Sequence, residues 1–340
     1  MKTGFFQKIR GPLEYWFWRA QVSALCACPP LQGIVMNLNM SPRQHWFLTI
    51  LRIALKTPAA LCRHCRDKLK KRVVLGRVSF GITTRCTLNC DKCAGFLPDF
   101  ELHEDTPADE LIQDIRTLVS CADYIYTLNL TGGEPFLHPE LDQIIRTCAE
   151  SDQIGAVDLS TNGTIIPGAP VLTALREAKI VVRISRYAPI LQPNVEQLKA
   201  ILKENGIRYL HELGDYWYDT GGTELLPGSA KRKFSLCANK LNLPLYNGVC
   251  HLCTKSMYLM KTGVIPDCQE EYIDVRNIDP AKFCVQWKQL RKRRVITACS
   301  YCQGFSFETP RVPAAAQRGP RGAGEETDYM KSSGKIDQLE

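Results

Sequence analysis

The chain lacks any apolar run near the roughly 18 residues a helix needs to cross a membrane, which excludes a membrane-spanning helix as a reading of the sequence. Its opening, MKTGFFQKIRGPLEYWFWRAQVSALCACPP, is aromatic, but Arg10, Glu14 and Arg19 break it up. No small-residue cleavage site follows a long apolar core, which argues against a secretory signal and for a cytoplasmic protein. No internal repeat is visible, so a solenoid is excluded as well. Acidic residues are almost missing from the first 85 positions, where Glu14 and Asp67 stand against 15 Lys and Arg; the remainder carries 28 basic and 33 acidic side chains. Such a basic portion suits nucleic acid, anionic lipid, an acidic peptide or an acidic redox partner. The run RDKLKKR (66–72) taken alone reads as a solvated helix face.

What the chain has in quantity is cysteine, 16 in 340 residues. In a chain of this length clustered cysteines point to metal or redox work rather than to a disulfide framework. CTLNCDKC places Cys86, Cys90 and Cys93 in eight residues. Three thiolates are one short of a filled tetrahedral site, so either a further side chain such as His103 completes a zinc site, or an iron–sulfur cluster keeps one iron open.

Strand and helix patterns alternate from residue 77 onward. RVSFGITT (77–84), YIYTLNLTGG (124–133), AVDLSTNGT (156–164), KIVVRISRY (179–187) and IRYLHEL (207–213) read as strands. Helical periodicity over 107–120, 139–150, 169–178 and 194–206 separates them, with Pro139 opening one helix and Gly206 closing another. Repeated units of this kind imply an α/β fold with a parallel sheet, whose active site gathers at the C-terminal ends of the strands. The cysteine triplet, Gly-Gly-Glu-Pro and STNGT all fall at such ends. Four segments are expected: a basic, mainly helical N-terminal extension (1–76), the α/β core (77–233), a cysteine-rich unit organised round metal (234–309) and a disordered tail (310–340) rich in Pro, Gly and charge. Within the first, residues 43–57 read as an amphipathic helix that packs on the core; peripheral contact with a membrane surface is the second reading.

The triplet on the first strand, TGGEP after the second and STNGT after the third together resemble the radical S-adenosylmethionine (radical SAM) superfamily over residues 77–302. The resemblance implies a partial (β/α)6 TIM-like barrel and an oxidoreductase-type enzyme. By that resemblance Cys86, Cys90 and Cys93 hold a [4Fe-4S] cluster whose fourth iron is ligated by S-adenosyl-L-methionine. Gly132, Gly133, Glu134 and Pro135 match the motif receiving the methionine amino group, glycines for close backbone approach and the Glu134 carboxylate for pairing with the ammonium. Ser160 and Asn162 match ribose or carboxylate contacts, and Ser185 a further carboxylate contact near Arg183 or Arg186. Reductive cleavage of the cofactor then gives a 5′-deoxyadenosyl radical that abstracts hydrogen from a substrate. The family's aromatic residue before the third cysteine is here Lys92.

Beyond residue 233, Cys253-x9-Gly263-x4-Cys268 and Cys299-x-x-Cys302 are similar to the twitch and SPASM extensions of the same superfamily. That similarity implies a second, auxiliary [4Fe-4S] cluster on Cys253, Cys268, Cys299 and Cys302. No cysteine follows Cys302, which favours the shorter twitch form. Cys250 competes with Cys253, Cys237 and Cys284 are extra ligands or buried thiols, and Cys121 and Cys148 read as core. Cys26, Cys28, Cys62 and Cys65 form two close pairs without a supporting geometry. The resemblance implies a flavodoxin- or ferredoxin-like electron donor and a peptide/protein or sugar-like substrate, undergoing oxidation, epimerisation or cross-linking. Tyr187 and residues 215–219 (DYWYD) are strand-end candidates for substrate contact. The competing class is a zinc-dependent nucleic-acid-binding protein, supported by the Cys-x-x-Cys pairs and KQLRKRR (288–294). No nucleic-acid recognition module is present, so no nucleic-acid partner is expected.

Overall fold

A computed structural model describes residues 61–70, 72–178, 180–212 and 216–319, together with Cys28 and Pro58. The expected helix over 43–57, Cys26, Asp215 and residues 320–340 lie outside the described residues. Cys28 is buried, whereas Cys62 and Cys65 are exposed on a helical stretch over 61–69.

Five β-strands follow one another in parallel: β1 (Val74–Thr83), β2 (Tyr124–Gly132), β3 (Val157–Thr161), β4 (Val181–Ser185) and β5 (Tyr209–Glu212). Between them run α1 (Ala108–Cys121), α2 (Leu141–Glu150), α3 (Ala169–Glu177) and α4 (Val195–Glu204). Period-2 patterning explains how each strand sits. Val78, Phe80 and Ile82 of β1 are fully buried, while Arg77, Ser79, Gly81 and Thr83 alternate with them and line the opposite, cavity side. On the helices the apolar positions recur every three or four residues, as Leu111, Ile115 and Leu118 do on α1 and Leu141, Ile144, Ile145 and Cys148 on α2. These residues join the strands in one core.

After β6 (Tyr216–Tyr218) and α5 (Ala230–Leu236), β7 (Leu243–Tyr246) pairs in parallel with β1. β8 (Val249–His251) and β9 (Tyr272–Asp274), with α6 (Thr254–Lys261) between them, extend it antiparallel. The sheet order is therefore β5-β4-β3-β2-β1-β7-β8-β9. The expected α/β architecture is present, with the sixth parallel strand beside β1. The expected segment boundaries are displaced. β1 begins at Val74, before the boundary at 76–77, and α5 runs across the one at 233–234. Residues 234–309 also share the main core, because Leu243, Leu245, Ile273 and Phe283 are buried in it. Apolar alternation in those short strands is enough to extend a sheet, which the cysteine density concealed.

The tail departs from expectation too. β10 (Arg311–Pro313) pairs antiparallel with β6, and residues 315–318 lie against the cysteine loop. Its prolines disfavour a helix but not an extended strap held by backbone hydrogen bonds.

One ion pair ties the late segment to the early one. Arg276, following β9, donates to Asp114 on α1 at 2.6 and 2.8 Å, and the Asp114 side chain is wholly buried. α7 (Pro280–Lys292) packs on α1 nearby. Replacing Arg276 by Leu strands a buried carboxylate, and a loss of about 3 kcal/mol is expected, the low end for a broken buried pair because Arg276 reaches solvent on one side. Chemical denaturation of Arg276→Leu against wild type measures it; an unchanged midpoint would show that the pair contributes nothing.

Candidate active site and metal centres

The long connection from β1 to α1 is pinned at its two ends before it carries any cysteine. Thr84 N donates to Glu104 O at 2.9 Å and Thr106 N to Ile82 O at 3.2 Å, which close residues 84–105 into a loop at the C-terminal end of the sheet. Cys86, Cys90 and Cys93 stand on it, facing one cavity of about 370 Å³, a size that accommodates a cofactor-sized ligand. The three sulfurs lie within electrostatic reach of one another, and burial pushes the Cys86 thiol up and the Cys90 thiol up to about 12. A metal bound here would have to displace the protons of these thiols. The donor set fits a cluster: three thiols and, on the cavity side, no fourth protein ligand.

Gly132 and Gly133 seat this loop. Gly132 has φ 138°, and a Cβ there would meet Thr83 O at 2.3 Å; a Cβ on Gly133 would fall 1.9 Å from Arg85 O. Gly133 N and Glu134 N donate to Thr83 O and Arg85 O at 2.9 and 2.8 Å. The glycines therefore let the end of β2 lie directly on the residues that lead into Cys86.

Glu134 does something other than the expected pairing with an ammonium. Its carboxylate is wholly buried and accepts from Thr161 Oγ1 at 2.8 and 2.9 Å, Asn162 N at 2.8 Å and Phe136 N at 3.1 Å. Burial pushes its pKa up to about 7 against the pull of these donors. Gly132 and Gly133 line the cavity and Glu134 does not. Docking of the turn on residues 83–85 rotates the carboxylate inward, where it ties the end of β2 to the end of β3. Pro135 is buried at the start of a 3-10 turn over Pro135–Leu137.

The remaining cofactor-contact candidates do line the cavity. Ser160 Oγ accepts from Asn129 Nδ2 at 2.9 Å, and Asn162 Nδ2 lies 3.6 Å from Cys86 Sγ and 3.0 Å from Thr87 Oγ1. Ser185 lies at the end of β4 beside Tyr187, whose ring meets Trp217 edge-on at 5.8 Å and whose phenol feels all three cysteines. Below them, Arg77, which lines the cavity, donates to Asp158 at 3.0 and 3.3 Å; Arg183 bonds the same carboxylate and is not part of the lining, and Arg186 is exposed. His103 bonds the Thr84 carbonyl at 3.1 Å and does not face the triplet.

A second cavity, of about 310 Å³, is lined by Cys237, Cys253, Cys299 and Cys302. Cys253 caps α6, its Sγ accepting from Ser256 N at 3.3 Å, and Gly304 N donates to Cys302 Sγ at 3.2 Å. Burial pushes all four thiols up, Cys237 to about 11 and Cys299 to about 12, while Lys255 and Lys233 pull Cys302 down. The set differs from the expected one. Cys268 is outside this cavity, its Sγ 3.7 Å from Thr297 Oγ1, because the Glu271 carboxylate takes Thr297 N and Oγ1 and holds the 268–271 turn to one flank. Cys237 lines the cavity instead. Of the competing pair, Cys253 lines the cavity, whereas Cys250 is buried on β8 near Asp114 and Cys121. Cys121 and Cys148 are core residues, and Cys284 is half-buried on α7.

Lys92 points toward this second cavity, 3.8 Å from Asp219, and is absent from the lining of the first. Trp217 and Ala94 line both cavities and so form the wall between them. Among the described residues, no three His, Cys, Asp or Glu side chains converge closely enough to hold a single metal ion. Cys237, read as an extra ligand or a buried thiol, lines the second cavity; one placement escaped the sequence, that of Gln317, whose amide reaches Cys90 from 227 positions along the chain. No helix among the described residues is long and apolar enough to cross a membrane.

Comparison with known proteins agrees with this geometry. Residues 80–204 match the family model described as Radical SAM superfamily. The GTP 3′,8-cyclase of Limosilactobacillus fermentum is 34% identical over 103 residues, 30% of either chain. That of Aquifex aeolicus is 31% identical over 118 residues, 33% of this chain and 34% of its own. The chain thus spans about a third of the length of these curated relatives. Among solved structures, BtrN in complex with AdoMet and 2-DOIA aligns over 69% of this chain and 95% of its own, with TM-score 0.42 and 13% identity. Native anSMEcpe with bound AdoMet aligns over 67% and 82%, with TM-score 0.41 and 11% identity. Streptococcus suis SuiB bound to S-adenosylmethionine aligns over 50% and 40%, with TM-score 0.35 and 16% identity.

Proposed function

The chain belongs to the radical SAM superfamily through residues 80–204, and on that premise we propose that it abstracts hydrogen from a peptide/protein or sugar-like substrate, with an auxiliary cluster beside the reaction cavity. The observation that carries the reading is the meeting of three thiols, the Gly132–Gly133 seat and one cavity at the C-terminal ends of neighbouring strands. Cys86, Cys90 and Cys93 would hold the four-iron cluster, and Cys237, Cys253, Cys299 and Cys302 the auxiliary one. When bound, the first cluster and S-adenosyl-L-methionine supply reductive cleavage to a 5′-deoxyadenosyl radical, the hard step that the protein itself does not perform.

The chain's own residues bind, orient and enclose. Ser160, Asn162 and Ser185 offer hydroxyl and amide groups to the ribose and carboxylate of the cofactor. Gly132 and Gly133 present backbone to its amino group, since Glu134 is turned away. Arg77, Ser79, Asn129 and Asn242 put polar groups on a cavity wall that Leu97, Phe100, Leu245 and Met257 keep largely apolar, a mixed lining that suits either a peptide/protein or a sugar-like substrate. Trp217 and Tyr187 close the side toward the auxiliary thiols. The basic N-terminal portion supports an acidic, flavodoxin- or ferredoxin-like donor. The GTP cyclisation named in those relatives is not carried over, because the shared stretch leaves about two thirds of each chain unmatched.

The test uses protein purified and reconstituted without oxygen. Wild type is expected to hold about eight irons per chain and to form 5′-deoxyadenosine after dithionite reduction. Cys86→Ala/Cys90→Ala/Cys93→Ala is expected to lose about four irons and all cleavage. Zinc in place of iron, with no cleavage, would overturn the proposal in favour of the zinc-binding class.

A further inference from the structure

The end of the described chain closes over the outside of the cysteine loop. Past β10, Gln317 stands opposite Cys90 in an antiparallel bridge. Asp91 N donates to Ala316 O at 2.7 Å and Arg318 N to Asn89 O at 2.8 Å. Arg318 adds bonds to Asp99 at 2.6 Å and to Asp91 O at 3.1 Å.

Within this strap the Gln317 amide is fully engaged, and its orientation follows from its partners. Its Oε1 accepts from Asn89 N at 2.8 Å; its Nε2 donates to Ala315 O at 2.7 Å and to Cys90 Sγ at 3.3 Å. A flipped amide would set its oxygen against a carbonyl and a sulfur, and its NH2 against an N–H, so the network admits one orientation. Cys90 itself is 6% exposed, so water has little access to compete for the sulfur.

We propose that Gln317 is a positioning residue for the cluster on the triplet, its N–H raising that cluster's reduction potential through Cys90 while its carbonyl locks the loop. This rests on the radical SAM reading. A hydrogen bond donated to a cluster sulfur draws electron density from it and favours the more negative, one-electron-reduced state. The electron comes from the external donor, and the strap makes it easier to accept.

The experiment is an EPR-monitored redox titration of the anaerobically reconstituted full chain, following the signal that changes when S-adenosylmethionine is added. Gln317→Leu removes donor and acceptor; Gln317→Glu keeps the oxygen facing Asn89 N and replaces the donor. With iron content unchanged, each variant is expected to show about a tenfold lower ratio of reduced to oxidised cluster at fixed potential, a midpoint about 59 mV lower. If the loop opens in Gln317→Leu and iron is lost, Gln317→Glu decides alone. Wild-type potential in an iron-replete Gln317→Glu protein overturns this proposal and leaves the enzyme reading standing. A wild type with no S-adenosylmethionine-responsive signal overturns both.

Discussion

Gly133→Ala is expected to lose the triplet cluster and at least nine tenths of 5′-deoxyadenosine formation. The added methyl carbon would fall 1.9 Å from Arg85 O and 3.0 Å from Cys86 Cβ. Both contacts are with the short stretch that aims Cys86, and a backbone oxygen cannot swing aside as a side chain would. Overpacking of a close-packed site costs about 1–3 kcal/mol, and here the relief is movement of a cluster ligand. Gly168→Ala is the control, because its Cβ would meet nothing nearer than Pro170 Cδ at 3.8 Å. Iron analysis and product assay of the two variants side by side read the effect. A Gly133→Ala protein with full iron and full turnover would show that the β2 end does not seat the cysteine loop.

The second large effect separates two ligand sets for the auxiliary site. Cys237→Ala is expected to bring iron from about eight to about four per chain, leaving the triplet cluster and its S-adenosylmethionine-dependent signal in place. Cys268→Ala is expected to keep all of it. The spacing in the sequence favours Cys268, but Cys237 feels Cys302 and lines the shared cavity, whereas Cys268 meets Thr297. The reverse pattern would return the ligand role to the Cys-x9-Gly-x4-Cys spacing and show that residues 268–271 rearrange when the cluster is loaded.

Where the sequence was most legible, the chemistry is local. A cysteine triplet on one loop, glycines at a strand end and an alternating apolar strand all express short-range rules, so Cys86, Cys90, Cys93, the five leading strands and the four helices between them stand where periodicity and spacing put them. Glu134 marks the limit. Its position in the motif was readable, yet the direction of its carboxylate depended on how tightly the two glycines press β2 against residues 83–85.

The C-terminal half was less legible for a related reason. Cys237, Cys253 and the Cys299–Cys302 pair come from three places in the chain, and their convergence is set by α5, α6 and the Glu271–Thr297 clasp rather than by spacing. The pairing of β7 with β1 and the reach of Gln317 to Cys90 span more than 160 and 220 residues. A glutamine near a chain end carries no signature of its own. The donor types, the α/β alternation and the strand ends at which chemistry collects were legible in the chain, because each follows from contacts within a few residues. Which thiols share a cavity, which way Glu134 faces and what covers Cys90 emerge in the folded molecule alone, because those depend on elements distant in sequence coming together.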